Sequence, residues 1–230
     1  MLTLFHHPLF PGCRFVRLVF GEYGEELQLI EEKPWTRRKE FLTLNPAGQV
    51  PVLLAENDAP LSGAQVIAEY LDETRGVLKR DRRLFADDPF DRAEIRRLVD
   101  WFLSKAENEA ARHLVRERAL KPQMNAEQGG GSPDSGAIRA ARSNVRIHMK
   151  YVNWLAGTRN WLAGDRLTYA DLAAAGVLSV LDYMGEVRWA DFPAARDWYV
   201  RIKSRPSFRP LLADRVRGFS PVSHYADLDF

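Results

Sequence analysis

The 230-residue chain has a single cysteine, Cys13. That excludes an internal disulfide framework and fits a reducing compartment. No apolar run approaches the roughly 20 residues needed to cross a bilayer, so direct membrane insertion is not expected. The opening residues, MLTLFHH, lack the basic n-region and cleavage site of a signal peptide. An excess of either charge is missing as well. Thirty-three basic residues face 31 acidic ones, for a formal net charge of +2, which carries no nucleic-acid signature. What remains is the ordinary composition of a soluble globular protein, 46% hydrophobic and 28% charged, long enough for a sizeable core. The expectation is a soluble, cytoplasmic protein of one large domain or two smaller ones.

The pattern changes along the chain. LTLFH (2–6) is short, apolar and β-prone. RFVRLVFGEYG then places Phe15, Leu18 and Val19 on one helix face, with Gly24 as a C-terminal stop. LQLIEE (27–32) reads as a second strand, WTRRKEFLTL as a short helix, and VPVLLAE (50–56) as a third strand. Asn57-Asp58 turns the chain into a fourth, and a helix over 63–74 follows. This order matches a thioredoxin-like α/β unit over 1–76. The charged stretch 77–89 reads as a linker. From 90 to 212 only helical periodicity remains, as in Ile95, Leu98, Val99 and Phe102, or Ala195, Trp198, Tyr199 and Ile202. The second unit is therefore all-α, with a Gly- and Ser-rich loop near 129–136. YADLAAAGVLSVLDYM (169–184) is apolar nearly all round and reads as its buried central helix. Thr168 and Asp171 have capping-box spacing at its start, a folding device. Residues 213–230 form an extended tail.

One stretch raises a question of chemistry. FPGC (10–13) follows the first strand and starts a helix, where C-P-x-C would be a redox motif with an acidic first thiol. Here the first position is Phe10. Cys13 lies about a turn into the helix, where a small packed hydrophobe is the simpler role. His6 and His7 are alternative candidates, but neighbours on a strand point to opposite faces and do not chelate one metal together. No cofactor or metal is expected.

Together, the thioredoxin-like unit, the linker, the all-α unit, the capping box and NPAGQVPVL (45–53) resemble the glutathione transferase superfamily. The resemblance implies a cis bond before Pro51, which turns the backbone of Val50 towards a thiol substrate. It also implies an activating Ser or Cys at the start of the first helix, a position occupied here by Phe10 or Pro11. The superfamily's E-S-x-A-I-x-x-Y-L helix appears as GAQVIAEYL, with Gly63 at the acid position and Ala64 at the hydroxyl position. Ser62 is one residue out of register, where it could still cap the helix. Losing charge-assisted hydrogen bonds of about 1.5–3 kcal/mol each predicts weak or absent glutathione binding. Phe10, Pro11, Val50, Pro51, Gly63 and Ala64 are thus read as a vestigial glutathione site with no catalytic residue.

Two further stretches point outward. EEKPWTRRKE (31–40) sets Trp35 beside a run of bases as a lid or partner contact, and the basic run 75–83 reads as a solvated linker. DRVRGFSPVSHYADLDF carries aromatic and acidic residues beyond the natural end of the helical unit. It either packs back and closes the empty cleft or presents a recognition element, with Tyr225, Asp227, Leu228 and Phe230 as contact candidates. The HHPLFPGCRFVRL start, EEKPW and this tail resemble a non-enzymatic branch of the superfamily that binds the tubulin-like division protein FtsZ. The resemblance implies a homodimer at the division site that binds FtsZ, alters filament curvature and bundling, and supports envelope constriction. The alternatives are a glutathione-dependent transferase or lyase and a redox chaperone relying on Cys13.

Overall fold

The computed structural model describes residues 2–228. Four strands form one mixed sheet, ordered β2-β1-β3-β4: β1 (Leu2–His6), β2 (Leu27–Glu31), β3 (Val52–Leu54) and β4 (Pro60–Ser62). β1 pairs parallel with β2, Leu4 opposite Leu29, and antiparallel with β3, Phe5 opposite Val52. The parallel pair needs a crossover, which α1 (Pro11–Tyr23) supplies. Pro11 starts that helix at the position where a missing N–H costs nothing, and Gly24 ends it in a left-handed conformation. Nearly all of α1 is buried, because it lies between the sheet and the helical half. α2 (Lys39–Leu44) and α3 (Ala64–Thr74) complete the first unit.

The helical half begins with α4 (Pro89–Asp100), capped by Asp88, whose carboxylate accepts from the Phe90 and Asp91 amides. α4 does not stop at Asp100. It runs on as a π-helical stretch (Trp101–Ala111), a short α5 (Arg112–Val115) and a second π stretch (Arg116–Leu120). α6 (Ser135–Thr158), α7 (Tyr169–Tyr183), α8 (Pro193–Lys203) and α9 (Arg209–Leu212) follow. α7 is buried along its whole length, as its composition predicts, and its capping box is complete. The Asp171 carboxylate accepts from the Thr168 amide and hydroxyl at 3.0 Å. It also accepts from the Leu162 amide at 2.8 Å and the Trp198 indole at 3.0 Å. The capping residue is therefore also a buried tie to α8. α7 packs closely on α1 at Gly176, where a Cβ would sit 2.8 Å from the Pro11 carbonyl oxygen.

The basic run 75–83 is more than a solvated linker. Arg83 donates to buried Asp72 at 2.7 Å and to Asp87 at 3.0 Å, and Arg75 bridges Glu25 and Glu56. These pairs tie the connecting segment to α3 and to the sheet unit, while Lys79, Arg80 and Arg82 face outward or lie at the surface.

Candidate functional site

A two-lobed cleft opens where the start of α1 meets the loop before β3 and the π-helical stretch. Its inner lobe, about 440 Å³, is lined by Gly12, Val50, Pro51, Ser62, Gly63, Ala64 and Gln65 among others. The outer lobe, about 550 Å³, adds Trp35, Arg112, Arg116 and Met124. Phe10, Gln49, Val50, Leu103 and Glu107 border both. The sequence-derived positions Phe10, Pro11, Val50, Pro51, Gly63 and Ala64 thus come together at one site, and the Val50–Pro51 bond is cis.

At the reacting position, Phe10 is the N-cap of α1 and offers no side-chain hydrogen bond, and Pro11 has no N–H to give. Cys13 is fully buried. The His7 amide donates to its sulfur at 3.4 Å, and burial pushes the thiol up to about 12, so no thiolate forms at neutral pH. His7 is buried too. Its Nδ1 accepts from the Leu9 amide at 3.2 Å, and its ring packs on Phe10 and Trp35. Burial, then His6 and Lys33, pull its pKa down to about 3. His6 falls to about 4, through burial and Arg17. The two imidazoles face different surroundings, as strand alternation requires.

On the opposite wall, Gly63 sits at φ +99°, in a region that disfavours any side chain. Gly63, not Ser62, is the N-cap of α3, and no side chain caps that helix. Ser62 instead ends β4, so its expected capping role is not realised. Neither Ser62 nor Gln65 spends its side chain on another described residue, so the inner lobe keeps only uncharged hydrogen-bonding groups apart from Glu107.

The helical wall is what a 3.6-residue reading misses. Leu103, the neighbours Glu107 and Asn108, Arg112, Arg116 and Leu120 recur every four or five residues and all line the cleft. In a regular α-helix such a row drifts round the axis; i→i+5 bonding widens each turn and keeps it on one side. No single-residue signal, such as a proline or glycine, marks this stretch in the sequence.

The tail departs from expectation in two ways. Tyr225 is only 1% exposed and so is no surface contact residue. Arg14, itself fully buried, donates to the Tyr225 hydroxyl at 2.7 Å, and that hydroxyl donates to the Leu211 carbonyl at 3.2 Å. Arg14 also donates to the Pro8 carbonyl at 2.6 Å, and Arg17 grips Asp214 with two hydrogen bonds of 2.8 and 2.9 Å. Phe219 stacks on Tyr183, and the Val222 amide donates to the Tyr183 carbonyl at 3.1 Å. The tail therefore packs on α1 and the end of α7. Among the described residues, none after 212 lines either lobe, so the tail as far as residue 228 does not close the cleft. Asp227 is exposed and Leu228 is 41% exposed. Phe230 lies outside the described residues. Trp35 is half-buried in the cleft wall.

A thioredoxin-like sheet joined to a helical half, with a cis-proline loop facing the first helix, defines the class. The model of the glutathione S-transferase N-terminal domain matches residues 11–74, and that of the C-terminal domain matches 139–206. The chain belongs to the glutathione S-transferase family. Within it, the chain is 42% identical over 231 residues to FtsZ-localized protein A of Caulobacter vibrioides, covering 99% of this chain and 98% of that one. The solved structure of FzlA from C. crescentus superposes with a TM-score of 0.91 at 43% identity, over 100% of this chain and 99% of the other. A solved glutathione S-transferase from Sinorhizobium meliloti 1021 superposes at 0.98 with 63% identity, over the whole of both chains.

Proposed function

We propose that this chain is an FtsZ-binding division protein that works as a homodimer through its surface, without thiol chemistry, on FtsZ filaments at the division site in the cytoplasm. The observation that carries the reading is the start of α1. The group that would activate a thiol is replaced by Phe10, and the one cysteine is buried with its proton held. Similarity over nearly the full length to an FtsZ-localized protein supports the partner. The contact region is assigned to the end of the tail, where Asp227 and Leu228 are exposed, together with Phe230, which lies outside the described residues; Tyr225 is the buried anchor that presents it. Trp35 is a secondary candidate. Exposed Ile147 and Trp154 on α6, with half-buried Tyr151 stacked on Trp154 between them, supply apolar surface for pairing two copies. Filament curvature, bundling and constriction are the expected consequences of a bivalent FtsZ ligand.

The test is co-sedimentation with polymerised FtsZ, using the full chain and the double variant Asp227→Ala, Leu228→Ala. The variant should lose most of the binding without losing thermal stability; undiminished binding removes the tail from the contact. The second reading, a glutathione-dependent transferase or lyase, is favoured by the open cleft and the intact cis-proline loop. Calorimetry with millimolar glutathione, and turnover of a standard electrophile, would select it.

A further inference from the structure

The face of α6 turned away from the cleft carries charge of one sign only. The helix holds Arg139, Arg142, Arg146 and Lys150 and no Asp or Glu. Spacings of three, four and four residues set these cations in one exposed row about 16 Å long. Like charges three and four apart destabilise a helix, and no acid within α6 offsets them. Arg146 and Lys150 have no hydrogen bond or ion pair with any described residue. Arg139 meets only the Ser135 hydroxyl, at 3.5 Å.

Beside the row runs a groove of about 240 Å³, between α6 and the segment that leads from α7 to α8. Val145, Met149 and Phe192, all buried, give it an apolar floor. α6 contributes Arg142 and Arg146 to the lining, and the facing segment contributes Arg188. Two carboxylates line it as well, and each is already matched. Glu186 is buried between Arg118 and Arg142, accepting from Arg142 at 2.8 and 3.1 Å. Asp191 lies 3.4 Å from Arg188. The surplus charge is therefore positive. The volume falls below the roughly 300 Å³ at which small-molecule sites begin, and suits single side chains instead.

The shape decides what fits. From Arg146, Val145 turns roughly 100° one way, into the groove, and Ile147 roughly 100° the other way, to the surface. The apolar atoms beside the cations are thus recessed. A flat bilayer does not reach them, and a nucleic-acid backbone brings charge but no apolar group. An extended peptide brings both, because its side chains alternate, and about five residues match the length of the row. We propose that this groove and row bind an extended acidic segment of a partner protein. Its carboxylates lie on Arg139, Arg146, Lys150 and Arg188, and an apolar side chain between them rests on Val145, Met149 and Phe192. Guanidinium forks suit carboxylates in particular, since they can donate two parallel hydrogen bonds. The site shares no residue with the cleft or with the tail contact assigned to FtsZ, so it offers the protein a second protein partner.

Fluorescence anisotropy on the full chain tests this with a labelled peptide, EDLDFDE, against EDSDSDE, which keeps the charge and lacks the apolar groups. The first should bind one site, about tenfold more tightly than the second, and weaken as salt rises. Arg146→Glu with Lys150→Glu should weaken it by about tenfold or more. Both side chains are exposed and unpartnered, so the melting temperature of that variant should not fall. Equal affinity for the two peptides overturns the proposal, and so does full affinity in the charge-reversed variant. Phosphatidylglycerol vesicles and oligothymidylate are separate arms. Binding of either that is lost in the same variant and is not displaced by EDLDFDE would assign the row to lipid or nucleic acid, and would overturn it too.

Discussion

Arg14 and Tyr225, 211 residues apart, are joined by a 2.7 Å hydrogen bond in the interior. The same guanidinium holds the Pro8 carbonyl, just ahead of the loop residues Leu9 and Phe10 that line the cleft. A side chain in the second turn of the first helix thus fastens the last described segment to the floor of the site. Tyr225→Phe keeps the ring but leaves Arg14 short of an acceptor, costing about 1–3 kcal/mol. Melting temperature should fall by roughly 2–4 °C per kcal/mol for a chain of this size. Limited proteolysis should then cut near residues 213–222 first. Unchanged melting and cleavage would mean the bond contributes nothing.

Cys13 should be silent in the folded protein. With its thiol buried and held up at about 12, a disulfide reagent at pH 8 should label less than a tenth of the protein until denaturant is added. Cys13→Ala should leave FtsZ co-sedimentation intact and cost about 1 kcal/mol or less in a urea titration.

Stability should peak near pH 7. His6 and His7 titrate at about 4 and about 3 in the folded chain, against 6.5 in the unfolded one. Below 6.5 the unfolded state gains protons that the folded state refuses, so stability falls with acid. Glu107 acts in the opposite sense, because its folded value near 7 exceeds the ordinary 4.5. Between pH 4.5 and 6.5 the two histidines outweigh it by about one proton, roughly 1.4 kcal/mol per pH unit. Above about pH 7 the histidines are largely neutral in both states, and loss of the Glu107 proton lowers stability slightly. Urea midpoints at pH 5, 6.5 and 8 check both limbs; a midpoint highest at pH 5 contradicts the assignment.

Asp171→Ala removes the acceptor of four hydrogen bonds inside the core. The expected loss is about 3–5 kcal/mol, seen as a collapse in soluble yield or in the urea midpoint. Thr168→Ala, which removes one cap bond and leaves the carboxylate's other partners, should cost only about 1 kcal/mol.

Ala64→Ser restores the family's hydroxyl at an unstrained helical position and should measurably raise glutathione affinity. Gly63→Glu should not complete the repair. At φ +99° a side chain brings strain of about 1–2 kcal/mol, visible as a lower melting temperature. Calorimetry and melting curves of the two single variants separate these effects.

The order of strands and helices, the buried α7, its capping box and the identities of Phe10, Gly63 and Ala64 in their short motifs are all determined by the sequence. Each depends on near neighbours: alternation, helical period, cap spacing, or the identity of one residue in a short motif. Tertiary structure decided the rest. Tyr225 reads as a surface aromatic until Arg14 is seen to need an acceptor, because a buried guanidinium must be satisfied wherever the chain can supply one. The cleft row from Leu103 to Leu120 is invisible to a 3.6-residue period, because only the i→i+5 bonding of the folded helix turns it to one side. Whether Asp171 was a cap or a core tie also depended on Trp198 and Leu162, which reach it only once α8 has packed. Local chemistry set the elements and left the start of α1 without a side-chain hydrogen bond; long-range burial chose which polar groups meet, and so fixed the tail and furnished the cleft.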